Sequence, residues 1–191
     1  PIRVSERLWI VPSWHDAPDP AAINLILDPG MAFGTGSHPT TRLCLEWLER
    51  SVRPGESLLD YGCGSGILAI AGARLGACPV DGVDIDPQAV LAAEANAQRN
   101  NVSARFFDST RPVSACYDRV VANILSNPLK VLAPAICGHV RAGGELALSG
   151  ILAEQAEELM AIYSEWIPLH VADSREGWVC LSGRKPESCA C

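Results

Sequence analysis

From Ser57 onward, short runs rich in Val, Ile and Leu alternate with longer alanine-rich segments of helical period. SLLDYG, PVDGVDID, ARFFD, YDRVVANIL and GGELALSGI have the length and composition of buried strands, and the segments beginning at Gly66, Pro87, Pro128 and Ala153 have the period of helices. Repeated strand–helix units of this kind bury both faces of their strands, which requires a parallel sheet covered by helices on each side. An α/β fold is therefore expected. His170 to Arg184 reads as two further strands around the polar tip Asp173 to Gly177, so the sheet is expected to end in an antiparallel hairpin.

Several boundaries have physical markers. Asp86-Pro87 places a capping side chain before a proline whose missing N–H costs nothing in a first helical turn, and Asn127-Pro128 is expected to repeat the device. Arg141 to Gly144, RAGG, is a turn signal before the next strand. Residues 1–30 are less regular, with the proline-rich Pro12 to Pro20 between two apolar runs, and are read as a linker or an edge hairpin. At 191 residues the chain suits one domain, expected over 31–185, with a tail at 186–191. The chain starts at Pro1 without a methionine and runs directly into the strand-like Glu6 to Val11, so a fragment or a processed product is expected.

Composition excludes several classes. No run reaches the roughly 18 to 20 apolar residues that span a bilayer, and no signal-peptide pattern opens the chain, so a soluble, cytoplasmic protein without membrane contact is expected. Eight cysteines lie scattered among apolar runs without a C-x-x-C pair, which fits buried thiols in a reducing compartment. Cys189 and Cys191 are expected in a loose tail, and no metal site is expected. The net charge of −7, from 15 basic and 22 acidic residues with no basic run, weighs against direct nucleic-acid binding and suits a cationic protein substrate.

Two glycine clusters stand close together: AFGTGSHPTT at Ala32 to Thr41 and DYGCGSG at Asp60 to Gly66. The second ends a strand and opens a helix, the place where ligands sit in open α/β sheets. Gly62, Gly64 and Gly66 allow a tight turn and a close ligand approach. A dinucleotide fingerprint would read G-x-G-x-x-G, but Ile67 stands where its third glycine would be. Asp60 would repel a diphosphate and attract an ammonium or sulfonium, so the expected ligand is adenosine-bearing and cationic, as S-adenosylmethionine is. Asp84 follows Gly62 by 22 residues and ends the next strand, where a carboxylate can accept from both ribose hydroxyls. Asp86 is the expected helix cap, while Asp108 reads equally as an adenine contact or a loop carboxylate.

VVANIL ends the fourth strand, whose expected neighbour is the first. That places Asn123 beside a methyl donor, where its carbonyl can orient an attacking amine. The competing role for Asn123 is to cap the strand-to-helix turn, a job expected of Asn127.

FGTGSHPTT, LLDYGCGSGILAIA, VDIDPQAV, VVANIL and LSGIL, in this order, resemble the bacterial ribosomal protein L11 methyltransferases from about Leu8 to Lys185. The resemblance implies a class I S-adenosylmethionine-dependent methyltransferase fold, Rossmann-like and doubly wound, and methylation of lysine and N-terminal amines of that ribosomal protein. It implies cofactor contacts from Thr41, Gly62, Asp84 and Asn123, with Phe33 and Gly34 in a loop closing over the ligand, and gives His38 no proton-transfer role. Asn123 stands where related enzymes begin an N-P-P-Y type motif, from which Ile124 and Leu125 depart. The family also carries an N-terminal recognition domain, which this chain is expected to lack. Other readings are a methyltransferase for another protein or a small amine, a dinucleotide-binding oxidoreductase, and a noncatalytic cofactor-binding module.

Overall fold

The structure, a computed structural model, describes residues 1–28, 38–111 and 113–188. Two sheets organise them. Strands β1 (Ile2–Arg3), β2 (Leu8–Val11) and β3 (Ile23–Ile26) form a small sheet. The apolar runs flanking Pro12 to Pro20 are not a hairpin, because β2 and β3 pair in parallel while β1 pairs antiparallel with β2.

The large sheet holds β4 (Leu58–Tyr61), β5 (Val80–Val83), β6 (Arg105–Phe107), β7 (Tyr117–Asn123), β8 (Val140–Leu152), β9 (His170–Arg175) and β10 (Trp178–Arg184). Its order is β6-β5-β4-β7-β8-β10-β9. The first five of these run parallel, and β10 is antiparallel to both β8 and β9. The doubly wound sheet and its terminal hairpin are thus both present. Strand order reverses at β4, with β5 on one side and β7 on the other, so a crevice is expected where β4 and β7 end.

Alternation along the strands divides the core. Leu59, Val120, Ala122, Leu146, Leu148, Val179 and Leu181 pack on one face with α4 (Ser126–Val131), α5 (Ala133–Gly138) and α6 (Ala156–Tyr163). Leu58, Val80, Val121, Ala147 and Cys180 face the other way, toward α1 (Pro39–Ser51), α2 (Ile67–Arg74) and α3 (Pro87–Arg99). That second cluster also takes in Leu8, Ile10, Leu25 and Leu27, so the small sheet shares the core of the large one.

Two sequence expectations change at this level. Asn127 does not cap a helix: α4 starts at Ser126 after Leu125, which offers no side-chain bond, and Asn127 lies inside the first turn. Every N–H of a first turn is an orphan, so Pro128 fits there as its third residue as well as it would as the first. The single helix expected from Pro128 is also broken, with α5 starting at Ala133 and Pro134 in its first turn, where its missing N–H breaks no intrahelical bond. The final hairpin is tighter than expected. Asp173 to Arg175 belong to β9, and Glu176-Gly177, with φ of 53° and 85°, makes a two-residue turn with both central residues left-handed.

Because Leu8 is fully buried in the shared cluster, Leu8→Ala should cost about 2–5 kcal/mol. Urea unfolding should remain one transition, coincident by fluorescence and circular dichroism. Separate transitions would show that the small sheet folds independently.

Candidate functional site

The second glycine cluster forms a turn between β4 and α2. The Gly62 and Cys63 N–H groups both donate to the Val83 carbonyl, at 2.8 and 2.9 Å, which folds the chain back over the end of β5. Gly62 has φ +77°, and a Cβ built there would lie 2.6 Å from Ile124 Cγ2. Across the crevice, Gly150 has φ +88°, and its Cβ would lie 2.2 Å from the Ile124 carbonyl oxygen. Ile124, just after β7, is thus wedged between two glycines that accept it only without side chains.

Asp60 is 1 % exposed, and its Oδ2 accepts from the Ala69 N–H at 3.0 Å. Ala69 is the third residue of α2, whose capping residue Gly66 supplies no side chain. The carboxylate therefore satisfies one of the helix's orphan donors from the neighbouring strand. Burial is the largest influence on its acidity and, with help from the nearby Asp84 charge, raises its pKa to about 7. No cationic side chain among the described residues forms an ion pair with it.

Asp84 holds the turn with both oxygens: Oδ2 accepts from Gly64 N–H at 2.9 Å and Oδ1 from Asp86 N–H at 3.0 Å. Each oxygen keeps a further lone pair for a ligand. Asp86 caps α3 as expected, accepting from Gln88 N–H at 2.9 Å. Asp108 accepts from Thr110 N–H at 2.9 Å and from its hydroxyl at 2.5 Å, which lowers its pKa and makes it a loop-forming carboxylate.

Asn123 ends β7 beside β4, so the fold brings it to the glycine turn. Its Nδ2 meets Thr41 Oγ1 at 3.5 Å, linking the last residue of the first glycine cluster to the strand. Thr41, Asp60, Gly62, Gly64 and Asn123 line one cavity, together with Cys63, Ser65, Ile67 and Leu68. Asp84 does not line this cavity, but it holds Gly64, which does. Phe33 and Gly34 lie outside the described residues, as do Cys189 and Cys191. His38 caps α1, its Nδ1 accepting from Thr40 N–H at 3.2 Å, and its ring meets Trp178 edge-on at 5.1 Å.

Sequence analysis missed a neighbouring groove lined by Leu125, Ser126, Pro128, Gly150, Leu152 and Trp178. The Gly150 position joins it to the first cavity, since a Cβ built there would lie 3.4 Å from Asn123 Oδ1. Trp178 supplies the aromatic surface that Ile124 and Leu125 do not, and it comes from the far hairpin, which no local motif could reveal. Among the described residues no group of His, Cys, Asp and Glu is arranged to hold a metal ion.

The raised Asp60 pKa has a definite sign for stability. Between about pH 4 and about pH 7 the folded chain holds a proton there that the unfolded chain has lost, so this contribution to stability falls as pH rises through that window. Asn at this position keeps an acceptor for Ala69 N–H without the charge. Asp60→Asn should therefore remove a slope of about 1.4 kcal/mol per pH unit, read from urea midpoints across the window; an unchanged slope would show that Asp60 ionises normally.

A family model described as ribosomal protein L11 methyltransferase (PrmA) matches residues 1–186. A ribosomal protein L11 methyltransferase of Dechloromonas aromatica is 77% identical over 186 residues, covering 97% of this chain and 63% of that protein. One from Cupriavidus taiwanensis is 62% identical, with the same coverage of 97% and 63%. This chain thus spans less than two thirds of the length of these curated relatives. Among solved structures, a ribosomal protein L11 methylase from Lactobacillus delbrueckii subsp. bulgaricus superposes with a TM-score of 0.89 at 32% identity, covering 97% of this chain and 98% of that one. Motif order, strand order and these matches agree that the chain belongs to the ribosomal protein L11 methyltransferase family and has its class I methyltransferase fold.

Proposed function

We propose that this chain is an S-adenosylmethionine-dependent N-methyltransferase whose substrate is a large-subunit ribosomal protein of the L11 type, modified on lysine and N-terminal amines. The observation that carries the proposal is the buried carboxylate of Asp60. It faces a cavity, beside a glycine turn, with no cationic partner among the described residues. A ligand that is both adenosine-bearing and cationic fits that wall, whereas the diphosphate of a dinucleotide would be repelled by it. The names of the relatives support the choice of protein substrate, and the net charge of −7 suits a basic one.

In this reading the backbone of Gly62 and Gly64 lines the ligand site, Thr41 and Asn123 close the opposite wall, and Asp84 accepts from ribose hydroxyls while it holds Gly64. Phe33 and Gly34 are assigned to the same ligand by sequence resemblance. Residues 31–185 form the transferase unit, and residues 1–28 buttress it through Leu8, Ile10, Leu25 and Leu27. A ribosomal protein substrate places the work in the cytoplasm. No described helix is long and apolar enough to cross a membrane.

S-adenosylmethionine, when bound, supplies an electrophilic methyl group. The residues have a different task. A free lysine amine has a pKa of about 10.4 and must be neutral to react, so the pocket has to disfavour its ammonium form. Partial desolvation in the groove beside Trp178 acts in that direction, and the proton leaves to water. Asn123 Oδ1 then accepts a hydrogen bond from the neutral amine and fixes the direction of its lone pair. Orientation is the main contribution expected from the protein.

Calorimetric titration with S-adenosylmethionine should show saturable binding, lost in Asp84→Ala. Affinity should rise as pH passes through about 7, because the cation pairs with ionised Asp60, and Asp60→Asn should flatten that dependence. Asn123→Ala should lower turnover on the ribosomal protein by about a hundred-fold while affinity for S-adenosylhomocysteine changes little. Equal loss of both would reduce Asn123 to a binding residue. Binding without turnover on any amine would favour a noncatalytic module.

A further inference from the structure

Helix α3 buries Ala89, Val90, Ala93, Asn96 and Ala97, and the next residue on that stripe, Asn100, ends the helix. Two asparagines thus occupy a face that packing alone would fill with apolar residues. Asn96 is 1 % exposed and Asn100 is 5 % exposed. A buried carboxamide is costly unless its groups are bonded, and here the bonds connect parts of the chain far apart in sequence.

Asn100 faces β3. Its Oδ1 accepts from Ile26 N–H at 2.7 Å, and its Nδ2 donates to the Ile26 carbonyl at 2.9 Å. One side chain thereby offers the donor and acceptor that a neighbouring strand would offer, closing the edge of the small sheet. The same Nδ2 donates to the Asn96 carbonyl at 2.8 Å. Asn96, one turn earlier, extends its own Nδ2 to the Ser65 carbonyl inside the glycine turn, at 2.9 Å. Nearby, Arg99 pairs with Asp28 at 2.9 Å, holding the chain just beyond β3 to the same helix end.

The glycine turn meets α3 at two further points. Gly66 lies against Ala93, where a Cβ added to the glycine would come within 2.9 Å of the Ala93 Cβ. Gly64 is held by Asp84, two residues before the cap of α3. Positions 93, 96 and 100 share one side of a helix, so the helix is a rigid bar with the turn on one end of its stripe and β3 on the other.

We propose that Asn96 and Asn100 are positioning residues for the glycine turn. They form a relay from Ile26 through Asn100 and Asn96 to Ser65, by which the N-terminal sheet sets the shape of the turn and a ligand in the turn tightens the edge of that sheet. The inference rests on the proposed S-adenosylmethionine site. Apolar side chains of similar size would fill the stripe but would leave the Ser65 carbonyl and both Ile26 groups without these partners. Coupling between the two ends is reciprocal: whatever Ile26 contributes to ligand affinity, the ligand returns to Ile26.

The test uses the 191-residue chain, with S-adenosylhomocysteine as probe and amide hydrogen exchange resolved by residue. Saturating ligand should slow exchange of the Ile26 amide by about five-fold or more, although Ile26 lines neither cavity. Asn96→Ala should abolish that slowing, raise the dissociation constant about ten-fold and leave kcat at saturating cofactor within about two-fold of the parent. Asn100→Ser, neutral and too short to bridge, is the second variant should Asn96→Ala fold poorly. In the absence of ligand it should speed exchange at Gly64 and Gly66, residues that Asn100 does not touch. Ile26 exchange unmoved by saturating ligand, or variants that lose stability while the dissociation constant stays fixed, would overturn the relay. If the parent chain binds no S-adenosylhomocysteine, the cofactor proposal fails. The relay then stands or falls on the ligand-free exchange at Gly64 and Gly66.

Discussion

A buried carboxylate with no cationic partner among the described residues governs the arrangement around it. Asp60 ends up inside because β4 is an interior strand, flanked by β5 and β7, of a sheet covered on both faces, and a side chain there has nowhere exposed to go. Its cost is partly offset by Ala69 N–H, an orphan donor that Gly66 leaves uncapped. The residue also lines the cavity. A helix start without a capping side chain, a turn built from glycines and an acid at the end of the preceding strand are therefore one structural solution, in which each part makes the others tolerable.

The far wall depends on a second constraint, the tight seating of Ile124 between Gly62 and Gly150. This contact brings the ends of β7 and β8 against the glycine turn, and Asn123, immediately before Ile124, is carried to the cavity with them. Thr41 arrives from α1, whose start is fixed by the His38 cap and by the edge-on contact of His38 with Trp178. The cavity wall thus draws on α1, β4, β7 and the turn before α2, while the adjoining groove draws on β8, β10 and the start of α4. Only the closing of the whole sheet assembles them.

Where local chemistry decides structure, sequence analysis and structure agree. Asp86 caps α3, a hairpin closes the sheet, and alternating Val, Leu and Ala residues place β7 and β8 inside. Where a signal is satisfied equally well at neighbouring positions, they differ. Pro128 is acceptable anywhere in a first turn, so Asn127 looked like a cap and is not one. Parallel pairing of β2 with β3 left no turn residues to read, since it is not made by a turn. Asp84 and Asp108 show the same limit on side chains: each was considered for a ligand, and each also ties a nearby loop together by bonds that only three-dimensional proximity creates.

What the sequence determined by itself is the alternation of strands and helices, the parallel sheet that follows from it, the glycine turn at the end of β4 and the acids placed before and after it. Periodicity and backbone chemistry act over a few residues and are written locally. Tertiary structure alone decided that the small sheet shares the core, that Thr41 meets Asn123 across 82 positions, that Trp178 lines a groove beside them, and that two asparagines join β3 to the glycine turn. Those contacts arise when distant segments are pressed together by burial of apolar surface, and burial specifies that a side chain goes inside without specifying which neighbour it will find there.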